Sequence, residues 1–131
     1  MQEVYDFIKG CGVYFLATAD GDQPHVRPFG TVDVFEGKLY IQTGKTKPCF
    51  KQMSANQKVE LCAFNGKGEW VRVAATAVDD GRVEAKAHML DAYPHLKDRY
   101  DANDPNTAVL YLKDATATFS SFTAPDRVVK F

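Results

Sequence analysis

Cysteine is scarce in this chain, and what there is does not pair up. Cys11, Cys49 and Cys62 are odd in number and form no CxxC, so a reduced, cytoplasmic protein is the simplest inference. An excess of one charge is also missing. Sixteen Lys and Arg stand against 17 Asp and Glu, a net charge of -1. There is thus no broad field to draw nucleic acid or an anionic membrane, and neither is an expected partner. No apolar run approaches membrane-spanning length, and the N-terminus carries no signal-peptide pattern. Catalytic signatures are lacking too. There is no GxSxG, no HExxH, no zinc-type spacing and no dinucleotide fingerprint. No metal site is expected, and no catalytic residue can be named. Repeats and low-complexity tracts are absent.

What remains is an ordinary globular composition, 45% hydrophobic and 25% charged, in 131 residues. That suits one domain, 1–131, with a sizeable core. Val4, Phe7 and Ile8 predict a short helix over 2–10, stopped by Gly10 or Gly12. A β-rich run at 13–18 and the Asp20-Gly21-Asp22 turn predict a hairpin. Its second strand begins near Pro24 and runs on to Phe35, and its two prolines place it at an edge, a bulge or a rim. Strands are expected at 38–43, 59–64 and 70–78, the last with Val71 and Val73 on one face and Trp70 and Arg72 on the other. A helix over 82–92 and a short one through 96–100 precede strands at 108–112, 115–122 and 127–131. Seven or eight short strands joined by hairpin turns imply an antiparallel, mainly β fold, and a small barrel solves their edge problem.

The stretch Thr43 to Asn56, TGKTKPCFKQMSAN, stands out. Pro48 fits a first helical position, which makes Lys47 the N-cap. Lys45, Lys47 and Lys51 crowd the start of that helix, where the sign of charge is unfavourable. A bound phosphate would resolve the conflict; a solvated basic turn is the other reading. The Gly44-Lys45-Thr46 triplet is no P-loop, because the required earlier glycine position is Leu39.

Other candidates are thinner. Arg27-Pro28-Phe29-Gly30 offers a guanidinium that can clamp phosphate, a rigid backbone and an aromatic ring. His25 shares that strand and could touch a substrate or stand half exposed. His88 and His95 read as a solvated helix face. Cys49 reads as a small side chain packed under the helix. Trp70, the one tryptophan, is core or a wall for a flat ligand.

Taken in order, PHVRPF, KLYIQTGKTKPCFKQMSANQKVEL, EWVRVAATA and ATATFSSF…RVVKF resemble the pyridoxamine 5′-phosphate oxidase-like family of FMN-binding split barrels. The resemblance covers nearly the whole chain. It implies a six-stranded antiparallel split β-barrel with short flanking helices, and a homodimer with FMN in clefts at the subunit interface. It implies that Arg27, Pro28, Phe29 and Gly30 line the flavin, followed by Gln42 and Thr43. Lys47 and Lys51 would hold the phosphate, and Trp70 would reach the flavin from the partner chain. The activity implied is a flavin-dependent oxidoreductase acting on a small molecule, with a nicotinamide reductant binding transiently and Arg27 stabilising reduced flavin. A non-catalytic stress or sensor module, or a relative binding deazaflavin or haem, is the alternative. The sequence departs from the oxidase itself. The oxidase's adjacent Arg-Lys pair falls here on Pro48 and Cys49, and its C-terminal extension is absent after Phe131. A true pyridoxamine phosphate oxidase is therefore not expected.

Overall fold

A computed structural model describes residues 1–131. All the strands belong to one antiparallel sheet. Six are long: β1 Tyr14–Asp20, β2 Gln23–Phe29, β4 Lys38–Gly44, β5 Lys58–Phe64, β6 Glu69–Asp80 and β7 Thr107–Ser121. Two are short: β3 Asp33–Phe35 and β8 Arg127–Lys130. The strand order is β2-β1-β5-β6-β7-β4-β3, with β8 added to β7. The ends of that order, β2 and β3, do not pair with each other, so the barrel is split rather than closed.

Three helices flank the sheet: α1 Gln2–Cys11, α2 Pro48–Ala55 and α3 Val83–Ala92, the last followed by a 3₁₀ segment, Pro94–Asp98. The period-2 burial of β5 and β6 sends Leu61, Val71 and Val73 inward. There they meet Val4 and Ile8 of α1, Leu16, Ile41 and Met53. A smaller cluster, Tyr40, Ala85, Met89 and Val109, lies under α3. Burying such side chains stabilises the fold by roughly 1.5–3 kcal/mol each.

Two expectations need correction. The run from Pro24 to Phe35 is two strands, because the chain leaves β1 at Phe29 and joins β4 only from Asp33. The two strands expected at 108–112 and 115–122 are one. Lys113-Asp114 is a bulge within β7, where Asp114 takes φ 52 and the register against β6 shifts between Ala74 and Thr76. The edge position of the proline-bearing strand is as expected: β2 ends the strand order.

The outer face of the sheet carries apolar residues in register. Pro28, Phe15, Cys62, Arg72, Thr118 and Val128 lie in one cross-strand row. Phe64, Trp70 and Ser120 form the next. Phe15 and Phe64 are each 50% exposed and Phe122 is 78% exposed.

Candidate functional site

The site is built where β2, β4 and α2 meet. Pro48 starts α2 as expected, with Lys47 extended at φ -78, ψ 146 as the N-cap. No acidic residue occupies its first turn. The turn before it is held from outside: Lys45 N–H donates to Asn106 O at 2.8 Å, and Thr46 N–H to Asn106 Oδ1 at 3.1 Å. Tyr100 and Asn106 pack directly on Gly44, where a Cβ would come 3.1 Å from the Tyr100 hydroxyl.

A cleft of about 270 Å³ opens here. Arg27, Pro28, Phe29, Gly30 and Thr31 form one wall, and Gln42, Thr43, Lys47 and Cys49 form another. A third comes from the segment after α3, as His95, Leu96, Arg99 and Tyr100. The lining holds four basic side chains and no carboxylate. A second hollow of about 420 Å³ lies on the other side of α2, lined by Asp20, Gly21, Pro48, Lys51, Gln52 and Asn56 among others. The two are joined by a contact. Arg27, in the first, donates from Nη2 to Gln52 Oε1, in the second, at 2.7 Å. Arg27 Nη1 donates to Thr18 Oγ1 at 2.8 Å and to Leu16 O at 3.2 Å.

The chain thus gathers Arg27 to Gly30, Gln42, Thr43 and Lys47 around one cleft. Lys51 stands one turn along α2, facing the neighbouring hollow. Lys45 does not line the cleft; its ammonium lies 3.9 Å from Asp79 and 5.8 Å from the centre of the Phe50 ring of α2. Trp70 lies elsewhere. It packs on Phe122, with ring centroids 5.3 Å apart, and borders a separate hollow of about 340 Å³ with Phe7, Phe119 and Arg127. Cys49 is buried, its Sγ 3.3 Å from Thr43 Oγ1. His25 does not line the cleft.

His95 is exposed on the 3₁₀ segment, in keeping with a solvated helix face, and also lines the cleft. The tether is Tyr93, whose hydroxyl donates to Val32 O at 3.0 Å and accepts from Val32 N–H at 3.1 Å. Sequence reasoning also missed Arg99 and Tyr100, for which no local signal exists. His88 sits apart, with Nδ1 2.6 Å from Asp33 Oδ2. No cluster of three or more potential metal-ligating side chains forms anywhere in the chain, and no helix is long and apolar enough to cross a membrane.

The family model described as pyridoxamine 5′-phosphate oxidase matches residues 1–121. The chain belongs to that family. Among solved structures, a NimC/NimA family protein from Clostridium acetobutylicum is similar over 100% of this chain and 92% of its own, at 45% identity and a TM-score of 0.96. General stress protein 26 from Bacillus anthracis shares the fold at 16% identity, covering 99% of this chain and 97% of its own with a TM-score of 0.76. So does HutZ, a heme storage protein from Vibrio cholerae, at 13% identity, 86% and 87% coverage and a TM-score of 0.67. No curated protein matches by sequence.

Proposed function

We propose that this family member is a homodimer that binds FMN in two interfacial clefts and acts as an oxidoreductase on a small molecule. The observation that carries the proposal is the acid-free basic cleft at the start of α2. FMN has an anionic end and a flat end with a polar edge. The residues present fit both. Lys47, in the cleft at the positive end of α2, suits the phosphate, and Lys51, one turn along, reinforces it from the neighbouring hollow. β2 pairs only with β1, so alternate backbone N–H and C=O groups along its outer edge are free to meet a heterocycle's edge.

FMN when bound supplies the hydride or electron chemistry. The protein binds, orients and sets the charge around it. Thr18 and Gln52 fix Arg27 at the cleft, where its permanent positive charge favours an anionic ligand. The single-chain cleft, about 270 Å³, falls just below the ~300–1,000 Å³ usual for ligand sites. A partner that contributes Trp70 would complete it. The outer-face rows through Phe15 and Phe64 supply the apolar surface for such a two-fold contact.

The visible spectrum of the purified protein, with and without added FMN, tests the reading. A flavin spectrum is expected, with FMN affinity at least about tenfold weaker after the double substitution Lys47→Ala, Lys51→Ala, through loss of charge-assisted contacts. Unchanged affinity in the double variant would refute the phosphate assignment. A Soret band or a deazaflavin spectrum would keep the fold and replace the cofactor.

A further inference from the structure

The third wall of the cleft comes from the segment after α3. We propose that this wall recognises the substrate, with Arg99 as the receptor for a carboxylate, so that the small molecule brought to the flavin is a monocarboxylate. The proposal rests on the flavin reading above and names the substrate class of that same site.

Charge decides the class. A phosphate monoester carries about -1.5 to -2 at neutral pH. Lys47 and Lys51, with the roughly +0.5 of the α2 N-terminus, match it at the α2 end. Arg27 is tied to that end as well, through Gln52. Arg99, on the wall after α3, is a further permanent cation of the same cleft. Its side chain makes no hydrogen bond and no ion pair within the chain; only its backbone N–H is engaged, with Leu96 O at 2.9 Å. A single planar guanidinium with free donors matches a single carboxylate in charge and in its two-oxygen geometry.

The wall is anchored rather than loose. Tyr93 holds Val32 through two hydrogen bonds, and Leu96 is buried. Tyr100, next to Arg99, packs on Gly44 at the entrance to the α2 turn. Arg99 is thus presented from a fixed base.

The test uses the FMN-loaded protein and benzoate as the probe, with benzamide as its uncharged isostere and phenyl phosphate as the dianion, each followed by calorimetry and by the flavin spectrum. Benzoate should bind more tightly than benzamide or phenyl phosphate. Arg99→Gln should weaken benzoate at least tenfold, leave benzamide within twofold and leave FMN affinity within twofold. Arg99→Lys should restore part of the loss. Because the Arg99 side chain makes no hydrogen bond or ion pair within the chain, folding should be unaffected, and circular dichroism checks this. Benzoate binding that Arg99→Gln leaves unchanged overturns the proposal. So does a loss of FMN affinity equal to the loss of benzoate, which would put Arg99 on the cofactor, or a preference for phenyl phosphate that depends on Arg99. Failure of the wild-type protein to bind FMN at all would instead overturn the flavin reading.

Discussion

Arg27 and Gln52 are 25 positions apart in the chain, and a 2.7 Å hydrogen bond from Arg27 Nη2 to Gln52 Oε1 joins the terminal strand of the sheet to α2. Thr18 completes the unit, donating to the same Gln52 oxygen at 2.5 Å while accepting from Arg27. Gln52→Leu removes the acceptor for both, and hydrogen bonds to charged groups contribute about 1.5–3 kcal/mol. Urea unfolding should report a loss near the low end of that range. Gln52→Glu is the more telling variant. It keeps the acceptor, so stability should hold, but it sets a negative charge beside the phosphate end. FMN affinity should fall at least about tenfold by like-charge repulsion. Equal FMN affinity for wild type and Gln52→Glu would separate Arg27 from the phosphate.

Gly44 is needed for what lies against it. A Cβ at this position would meet the Tyr100 hydroxyl at 3.1 Å, Asn106 Nδ2 at 3.2 Å and the Tyr100 ring at 3.3 Å. Those two side chains hold the turn that leads into α2. Gly44→Ala should therefore destabilise by about 1–3 kcal/mol as an overpacked site and weaken FMN by displacing Lys47. Tyr100→Phe in the same chain removes the nearest atom and should recover part of the stability. If it recovers nothing in thermal unfolding, the clash lies elsewhere.

Asp80 gives the protein an acid-sensitive anchor away from the cleft. Its carboxylate accepts from Arg82 at 2.9 Å and from the Tyr40 hydroxyl at 2.7 Å. Hydrogen bonding by Arg82, ahead of Tyr40, lowers the Asp80 pKa from 3.8 to about 2. The stabilisation is complete above pH 3.8 and is lost as pH falls toward 2. Tyr40 behaves in the opposite sense. Burial and the Asp80 carboxylate raise it from 10.0 to about 12, so its contribution holds below pH 10 and fades as pH rises toward 12. Asp80→Asn should flatten the acid limb of stability against pH, by roughly 1–2 kcal/mol after allowing for the half-exposed Arg82, with FMN affinity unchanged at neutral pH. An acid limb identical to wild type would assign acid sensitivity to other carboxylates.

The local signals in this sequence were reliable where one residue type fixes one backbone geometry. Pro48 sets the start of α2, and Lys47 is extended as the residue before a proline must be. Pro24 and Pro28 mark a strand with a free edge, and β2 has one. Lys113-Asp114 misled because a bulge residue and a turn residue share the same left-handed preference; only the unbroken β6 alongside tells them apart. The third wall of the cleft was invisible for a different reason. His95 and Arg99 are placed by the contact between Tyr93 and Val32, 61 positions apart, and no spacing within the segment encodes that. Lys45 reads in the sequence like its neighbours at 47 and 51, and only the fold shows it between Asp79 of β6 and Phe50 of α2.

The outer face of the sheet makes the strongest demand on assembly. Phe15, at the β1 position of a row that runs from Pro28 to Val128, is 50% exposed, while its neighbour Leu16 on the inner face is fully buried. The alternation is what a strand buried on both faces would show if the outer cover were another chain. Trp70 lies in the adjacent row and borders no part of its own chain's cleft. In the proposed dimer, a two-fold contact covering Phe15 and Phe64 would bring Trp70 to the partner's cleft. Sedimentation of the wild type at micromolar concentration should give a dimer. Phe15→Glu places a charge in the covered row without touching the inner core, so it should give a folded monomer by circular dichroism. That monomer should bind FMN at least about tenfold more weakly, because the cleft loses the wall the partner provides. A wild-type monomer would remove the dimer; a Phe15→Glu monomer that keeps full FMN affinity would leave the dimer in place and confine the flavin to a single chain.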